Sequence, residues 1–492
     1  MGHLEVAALP SRTRRITALA CALITCTTLV GGCSRVISGT PTTAWQAAAD
    51  DVAGLPASSG PSGPRPGAKP SDLRVEGTDN GEVDQLARDT VADVQTYWQQ
   101  QFPDAFDGKE FQPVKRLVSY DSGKPGPKVC GQDTRGRANA FYCAGEDAVS
   151  WDRAEMLPQL EASFGPMGVV TVLAHELGHA VQQRAGTTRP GDSTLVSEQQ
   201  ADCFTGAFFR HAAEGRAEHL QVSTGPGLNS VMGALSYIRD TPGGTDFTGN
   251  DAHGSAFDRV SAFQHGFSDG PDRCAEINSA EVQARTTQFK FWKSAQEQDL
   301  PISEQNLDAV AESLRAVFHD TGAKPPRITT SPADCPGTRR TSPAAYCPAT
   351  GTLSLSTDEL QQIARRPTKD TAGYGDFAAY AQVASRYALS VQQAAGLPLD
   401  DRNAGLRTAC MVGAWSGLLV EDPIGRRNPV GKLRIAPGDV DEGVAALLGD
   451  HSLIAADVTG RQVPAGFARV EAFRTGFEEG LAPCSTKYAA VE

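Results

Sequence analysis

The chain has no cysteine pair spaced C-x-x-C, no dense run of lysine and arginine beyond Arg15, and, after its N-terminal apolar segment, no apolar stretch close to the length of a membrane span. The first absence removes the usual thiolate signature of a structural zinc site. The second, with a formal net charge of -13, argues against nucleic acid as a partner, because phosphate binding needs concentrated cationic side chains. The third leaves the N-terminus as the route to a membrane, since a helical span needs about 20 apolar residues.

Arg12, Arg14 and Arg15 precede an apolar stretch from Ile16 to Val30, and "LVGGC" ends at Cys33. A basic region, an apolar core of about 15 residues and small residues before the cut describe a secretory signal rather than a span. "VGGC" resembles a bacterial lipobox, so residues 1–32 are expected to be a lipoprotein signal peptide and Cys33 the lipid-modified first residue of the mature chain. The protein is then anchored to the cell membrane by lipid, on the extracytoplasmic face. Residues 33–79 are rich in Gly, Pro, Ala and Ser, which bury too little apolar surface to offset chain entropy, and are expected to form a flexible tether.

A chain of 492 residues exceeds what one core usually supports, and this one carries its segments twice. "AHELGHAVQQ" (Ala174–Gln183) returns as "ASRYALSVQQ" (Ala384–Gln393), and "AFYCAGEDAVSW" (Ala140–Trp151) as "AAYCPATGTLSL" (Ala344–Leu355). "FDRVSAFQHGFSDGPDRC" (Phe257–Cys274) returns as "FARVEAFRTGFEEGLAPC" (Phe467–Cys484). Order is preserved and the separations are about 205 to 210 residues, which predicts two tandem homologous lobes, 80–280 and 302–488. Outside the leader, cysteines fall four to each lobe: Cys130, Cys143, Cys203 and Cys274, then Cys335, Cys347, Cys410 and Cys484. An even, patterned set in an exported chain predicts disulfides. Four cysteines allow three pairings; Cys130 with Cys143 and Cys203 with Cys274, and their counterparts, each bracket one local unit.

Val83, Leu86, Val91, Val94 and Trp98 recur at helical spacing, as do Leu307, Val310, Leu314 and Phe318, so each lobe opens with a helix. Further helices are expected over about 167–184, stopped by Gly186, over about 195–211, and from about Ser255. "VKRLVSY" (Val114–Tyr120) suggests a small sheet. The expected fold class is α+β, mainly helical, with the second lobe degenerate.

His175 and His179 stand four residues apart, so on a helix both imidazoles leave one face a turn apart, the geometry for two ligands to one metal ion. Glu176 is next around the helix, close enough to take a proton from a metal-activated water. H-E-x-x-H is therefore a zinc hydrolase signature. A catalytic zinc takes a third protein ligand, for which Glu198 in "SEQQAD" is favoured over His211, His219, His253 and His265. Asp202, one turn after Glu198, is placed to accept the outer N–H of a ligating histidine and fix its tautomer.

"VVTVLAHELGHAVQQ", "SEQQADCFTGAF" and "HGSAFDRVSAFQHGFSDGPDRC" resemble three blocks of the neutral zinc metallopeptidase family, and the chain as a whole is similar to a mycobacterial-type lipoprotein peptidase. The resemblance covers most of the first lobe. It implies zinc, peptide-bond hydrolysis, and a site of His175, Glu176, His179 and Glu198. Leu177 departs from the aromatic that commonly follows the glutamate in the family. His253, in the third block, is either an oxyanion donor or a surface-loop histidine.

In the second lobe His175, Glu176, His179, Glu198, Asp202 and His253 become Ser385, Arg386, Leu389, Gly405, Ala409 and Val463. One zinc per chain is expected, with a peptide or protein as substrate. A catalytically silent binding or scaffold lipoprotein, and a zinc amidase acting on cell-wall peptides, are the competing readings.

Overall fold

The apolar stripe of Leu86, Val91, Val94 and Trp98 is buried along helix α1 (Glu82–Ala105), which packs on the helix carrying the H-E-x-x-H motif. The computed structural model describes residues 49–491 apart from 241–251, 286–298, 333, 368–372, 421–432 and 436–437. The expected signal segment and Cys33 lie outside the described residues. Trp45–Glu492 forms one compact unit, α+β and mainly helical.

The first half continues with strands β1 (Arg116–Tyr120), β2 (Ala140–Cys143) and β3 (Ala148–Asp152), then helices α2 (Met156–Phe164), α3 (Pro166–Ala185), α4 (Thr194–Ala213), α5 (Pro226–Tyr237) and α6 (Ala256–Asp269). The second half has α7 (Glu304–Val317), strands β4 (Arg327–Thr329), β5 (Ala344–Cys347) and β6 (Thr352–Leu355), then α8 (Thr357–Ile363), α9 (Asp376–Ala394), α10 (Ala404–Leu419), α11 (Asp439–Leu448) and α12 (Gly466–Glu479). Both sheets have the same topology: the last strand lies in the middle, parallel to the first and antiparallel to the second. The registers match as well, Ala140 pairing with Trp151 and Ala344 with Leu355.

All four expected disulfides are present: Cys130–Cys143, Cys203–Cys274, Cys335–Cys347 and Cys410–Cys484. Cys203–Cys274 and Cys410–Cys484 close loops of 71 and 74 residues, tying α4 and α10 to the short helices that follow α6 and α12.

Two expectations are corrected. The halves are not separate bodies, because α6 and α12 face each other and share a core in which Phe257 meets Phe473 and Phe477, and Phe267 meets Phe467. The tether does not extend to residue 79. Asp51–Val52 pairs with Leu55–Pro56, Gly63–Pro64 pairs with Leu220–Gln221, and Val52 is fully buried. Composition underrates this segment because its small polar side chains find partners on the body: Ser58 bonds Thr224, and Ser62 bonds Ser223.

Helices α4 and α6 touch at backbone level. A Cβ added at Gly266 would lie 1.7 Å from the Cys203 carbonyl oxygen, and one at Gly476 would lie 1.8 Å from that of Cys410. Backbone cannot yield as a side chain does, so Gly266→Ala is expected to destabilise the protein by more than the ~1–3 kcal/mol of ordinary overpacking. Urea unfolding of the purified protein measures this; an unchanged midpoint would show that the helices do not cross so closely.

Candidate metal centre

Helix α3 forms despite a β-branched run because its ends are well defined and its core face is apolar. Pro166 occupies the first turn, and Gly186 closes the helix at φ 74° in the left-handed region. Val169, Val170, Leu173, Leu177 and Val181 are buried. Gly178 sits between Leu177 and His179, where an added Cβ would lie 2.8 Å from the Ala201 carbonyl oxygen. That close approach brings α4, with Glu198 and Asp202, against the histidine face of α3.

One donor atom each from His175, His179 and Glu198 lie within 4.8 Å of one another. The outer nitrogens of both histidines are tied to acceptors: His175 Nδ1 lies 2.8 Å from Asp202 Oδ1, and His179 Nδ1 lies 2.8 Å from Gln182 Oε1. An Nδ1–H donated to an acceptor leaves Nε2 as the lone-pair nitrogen of a neutral ring. Both Nε2 atoms face Glu198, at 3.1 Å from Oε2 and 3.4 Å from Oε1. Glu198 Oε2 is buried, and its contact with His175 does not meet hydrogen-bond geometry. Two imidazole nitrogens and an unsatisfied carboxylate oxygen converging on one point suit a zinc-sized cation.

The surroundings favour positive charge there. Burial would press the His175 imidazolium downward, but the Asp202 and Glu198 carboxylates outweigh it and carry its pKa to about 10. Burial would raise Glu198 and Asp202, but His175 and His179 on the one, and Arg259 and His175 on the other, hold both carboxyls below their ordinary values. Asp202 is fully buried and accepts from Arg259 Nε at 3.0 Å and Nη2 at 2.8 Å.

Glu176 faces the same cleft, a cavity of about 620 Å³ lined by His175, Glu176, His179, Glu198, His253 and Arg259 together with β2. Its Oε2 accepts from the Tyr142 N–H at 2.9 Å, which leaves Oε1 for the cleft. Burial lifts its carboxyl above the ordinary range, against the pull of His175 and His179. Strand β2 is an edge strand. The Asp152 N–H bonds the Asn139 carbonyl, so alternation along the strand turns the polar backbone of Ala140 and Tyr142 away from β3 and toward the cleft.

His253 enters the cleft wall with its side chain 48% exposed. Asp240 holds it, accepting from the His253 N–H and the Gly254 N–H at 2.8 Å each and facing Nδ1 at 3.3 Å. That hydrogen bond lifts His253 above its ordinary pKa, against burial. The other histidines weighed as ligands lie elsewhere: His211 lies against Tyr97 with the rings tilted, His219 bonds Asp93, and His265 meets Arg474.

In the second half the matching space is filled. Arg386 is fully buried and donates to the carbonyls of Leu453, Ala456 and Asp457. A Cβ on Gly405 would already meet the Ala455 carbonyl at 2.7 Å and Val463 at 2.8 Å, so no glutamate fits there.

Sequence reasoning assigned no role to Arg259, Asp240, Gln182 or Tyr142. Arg259 had a signal, since "F-x-R-V-x-A-F" occurs in both halves, and so had Gln182, three residues after His179 in the repeated "VQQ"; Asp240 and Tyr142 are joined to the site by contacts between separate segments that no local spacing encodes.

An uncharacterized protein of Mycobacterium bovis and uncharacterized proteins of two Mycobacterium tuberculosis strains are each 26% identical to this chain over 164 residues, 29% of this chain and 56% of the relative. The chain thus spans about half the length of the curated relatives it matches. No solved structure matches. Residues 47–277, which contain every residue of this cleft, match the family described as "Putative neutral zinc metallopeptidase".

Proposed function

We propose that the protein is a lipid-anchored, extracytoplasmic zinc metallopeptidase, with His175, His179 and Glu198 as ligands, Glu176 as general base and Asp202 orienting His175. The observation that carries this reading is the convergence of the three donors beside a buried glutamate in a cleft bordered by an edge strand. Zinc held there supplies Lewis-acid activation of water and of the scissile carbonyl. Glu176, fixed through Oε2 by the Tyr142 N–H, receives the proton of the attacking water on Oε1 and passes it to the departing amine. His253, held by Asp240, donates to the oxyanion as it forms. With the Tyr142 N–H held by Glu176, the outward Ala140 N–H and the Ala140 and Tyr142 carbonyls fit an extended peptide adding to β2, which favours peptide over a compact amide substrate.

The second half is a degenerate copy of the first, kept as a non-catalytic lobe. The matched strand registers, disulfides and close helix crossings support this. The lobe holds no zinc, because Ser385, Leu389 and Gly405 offer no ligands and Arg386 occupies the space. Asp376, Asp439 and Glu442 also come within 4.8 Å of one another, but an all-oxygen set suits harder cations. Elemental analysis of the purified protein should give one zinc per chain; two would mean that the second lobe supplies ligands.

Glu176→Gln should keep zinc and fold while activity falls by about 10²- to 10⁴-fold, the range for losing a general base. His175→Ala and His179→Ala should instead lose the metal. Hydrolysis of a denatured protein substrate, with and without chelator, reads all three, and full activity in Glu176→Gln would remove the mechanism.

The lipid anchor rests on "LVGGC" and Cys33. No helix among the described residues is long and apolar enough to cross a membrane. Cys33→Ala should shift the protein from the membrane fraction to the soluble fraction on cell fractionation. Retention after signal cleavage would point to another attachment.

A further inference from the structure

The segment that brings His253 to the cleft is pinned from the far half of the chain. Asp441 lies on α11 and is buried, 4% exposed. Its Oδ1 accepts from the Phe257 N–H in the first turn of α6 at 3.0 Å, and its Oδ2 lies 3.2 Å from Arg239 Nε, an ion pair without hydrogen-bond geometry. Arg239 adjoins Asp240, which holds His253 and Gly254; Phe257 lies two residues before Arg259, which holds Asp202 and, through it, His175. One carboxylate therefore contacts both Arg239, beside Asp240, and Phe257, four residues after His253. A helix N-terminus and a guanidinium both favour a negative partner, so the grip depends on charge as well as shape.

The reverse contact is different. Asn229 occupies the matching place on α5 and lies against Gly466, the first residue of α12, where a Cβ would come within 2.2 Å of its Oδ1. The first half thus offers a neutral amide to the second, and the second offers a charged carboxylate to the first. The carboxylate is on the contact made to the half that carries the cleft.

We propose that Asp441 is a positioning residue for the cleft: the second half sets the place of His253 and the start of α6 through it. This rests on reading the cleft as a peptidase site only for its kinetic consequence. It gives the second half a part in the chemistry that its own filled site cannot have.

The test uses the full chain with Asp441→Ala and the near-isosteric Asp441→Asn, which keeps an acceptor for the Phe257 N–H but loses the charge. Hydrogen exchange followed by mass spectrometry should show faster exchange across residues 252–260 in Asp441→Ala, little change in the β1–β3 sheet, and an intermediate effect in Asp441→Asn. Zinc content should stay at the wild-type level. On a peptide substrate kcat should fall by about 10-fold or more, the usual scale for a supporting group, with KM little changed. The double variant with His253→Ala should be no slower than His253→Ala alone. Unchanged exchange and kcat, or losses that multiply in the double variant, would overturn the proposal. Should Asp441→Ala fail to fold, Asp441→Asn decides by the same measurements. If the wild-type protein shows no chelator-sensitive hydrolysis while exchange across 252–260 still quickens, the peptidase reading fails and the positioning role stands.

Discussion

The buried carboxylate of Asp202 is the interaction on which the site depends. It is fully buried on α4, with His175 of α3 on one oxygen and the Arg259 guanidinium of α6 across both. Removing three ionisable groups from water costs several kcal/mol per ion, and only a fully bonded arrangement offsets it. The bidentate arginine makes Asp202 a permanent anion, and that anion keeps the proton of His175 on Nδ1. Three helices are thereby held at the angle that lets Glu198 meet both Nε2 atoms. The second half shows what happens without it: Ala409 replaces the aspartate, Arg469 is kept, and its guanidinium turns to the carbonyls of Val463 and Leu448.

This asymmetry separates what the fold requires from what the chemistry requires. Gly266 and Gly476 are both kept, because in each half a helix passes against a cysteine carbonyl. The pairs Tyr142–Gln183 and Tyr346–Gln393 are both kept, each joining the edge strand to the long helix beside it. Gly178, by contrast, has become Ala388. The close approach at Gly178 is found only in the half where Glu198 meets two histidines.

Much of this was legible in the sequence, and for a physical reason. Helical periodicity placed α3 and α4 within two residues at each end, and the i, i+4 spacing of His175 and His179 needs nothing beyond helix geometry to predict a shared face. The disulfides were legible because each pair brackets a local unit. The N-terminal segment was misread because Gly, Pro and Ser composition reports on a chain that must stabilise itself, whereas residues 51–64 borrow their partners from 220–224. Likewise Tyr142, Asp240 and Asp441 act on the site over 34, 13 and 184 residues of sequence. Separation of that kind is written in the fold and not in any motif.

The shared core explains why the two halves were not independent even before any question of mechanism. Phe257 with Phe473 and Phe477, and Phe267 with Phe467, make aromatic contacts between α6 and α12, and α6 is also the helix that carries Arg259. Offset and edge-on aromatic contacts of this kind add about 0.5–1.5 kcal/mol per pair beyond their buried area. The helix that supports His175 through Asp202 is therefore itself held by the second half. A substitution that weakens these aromatic contacts acts on α6 directly and reaches His175 through Arg259 and Asp202. Among the described residues the second half has no counterpart of the three converging donors, yet the surface it presents to α6 is packed into the same buried core as the first.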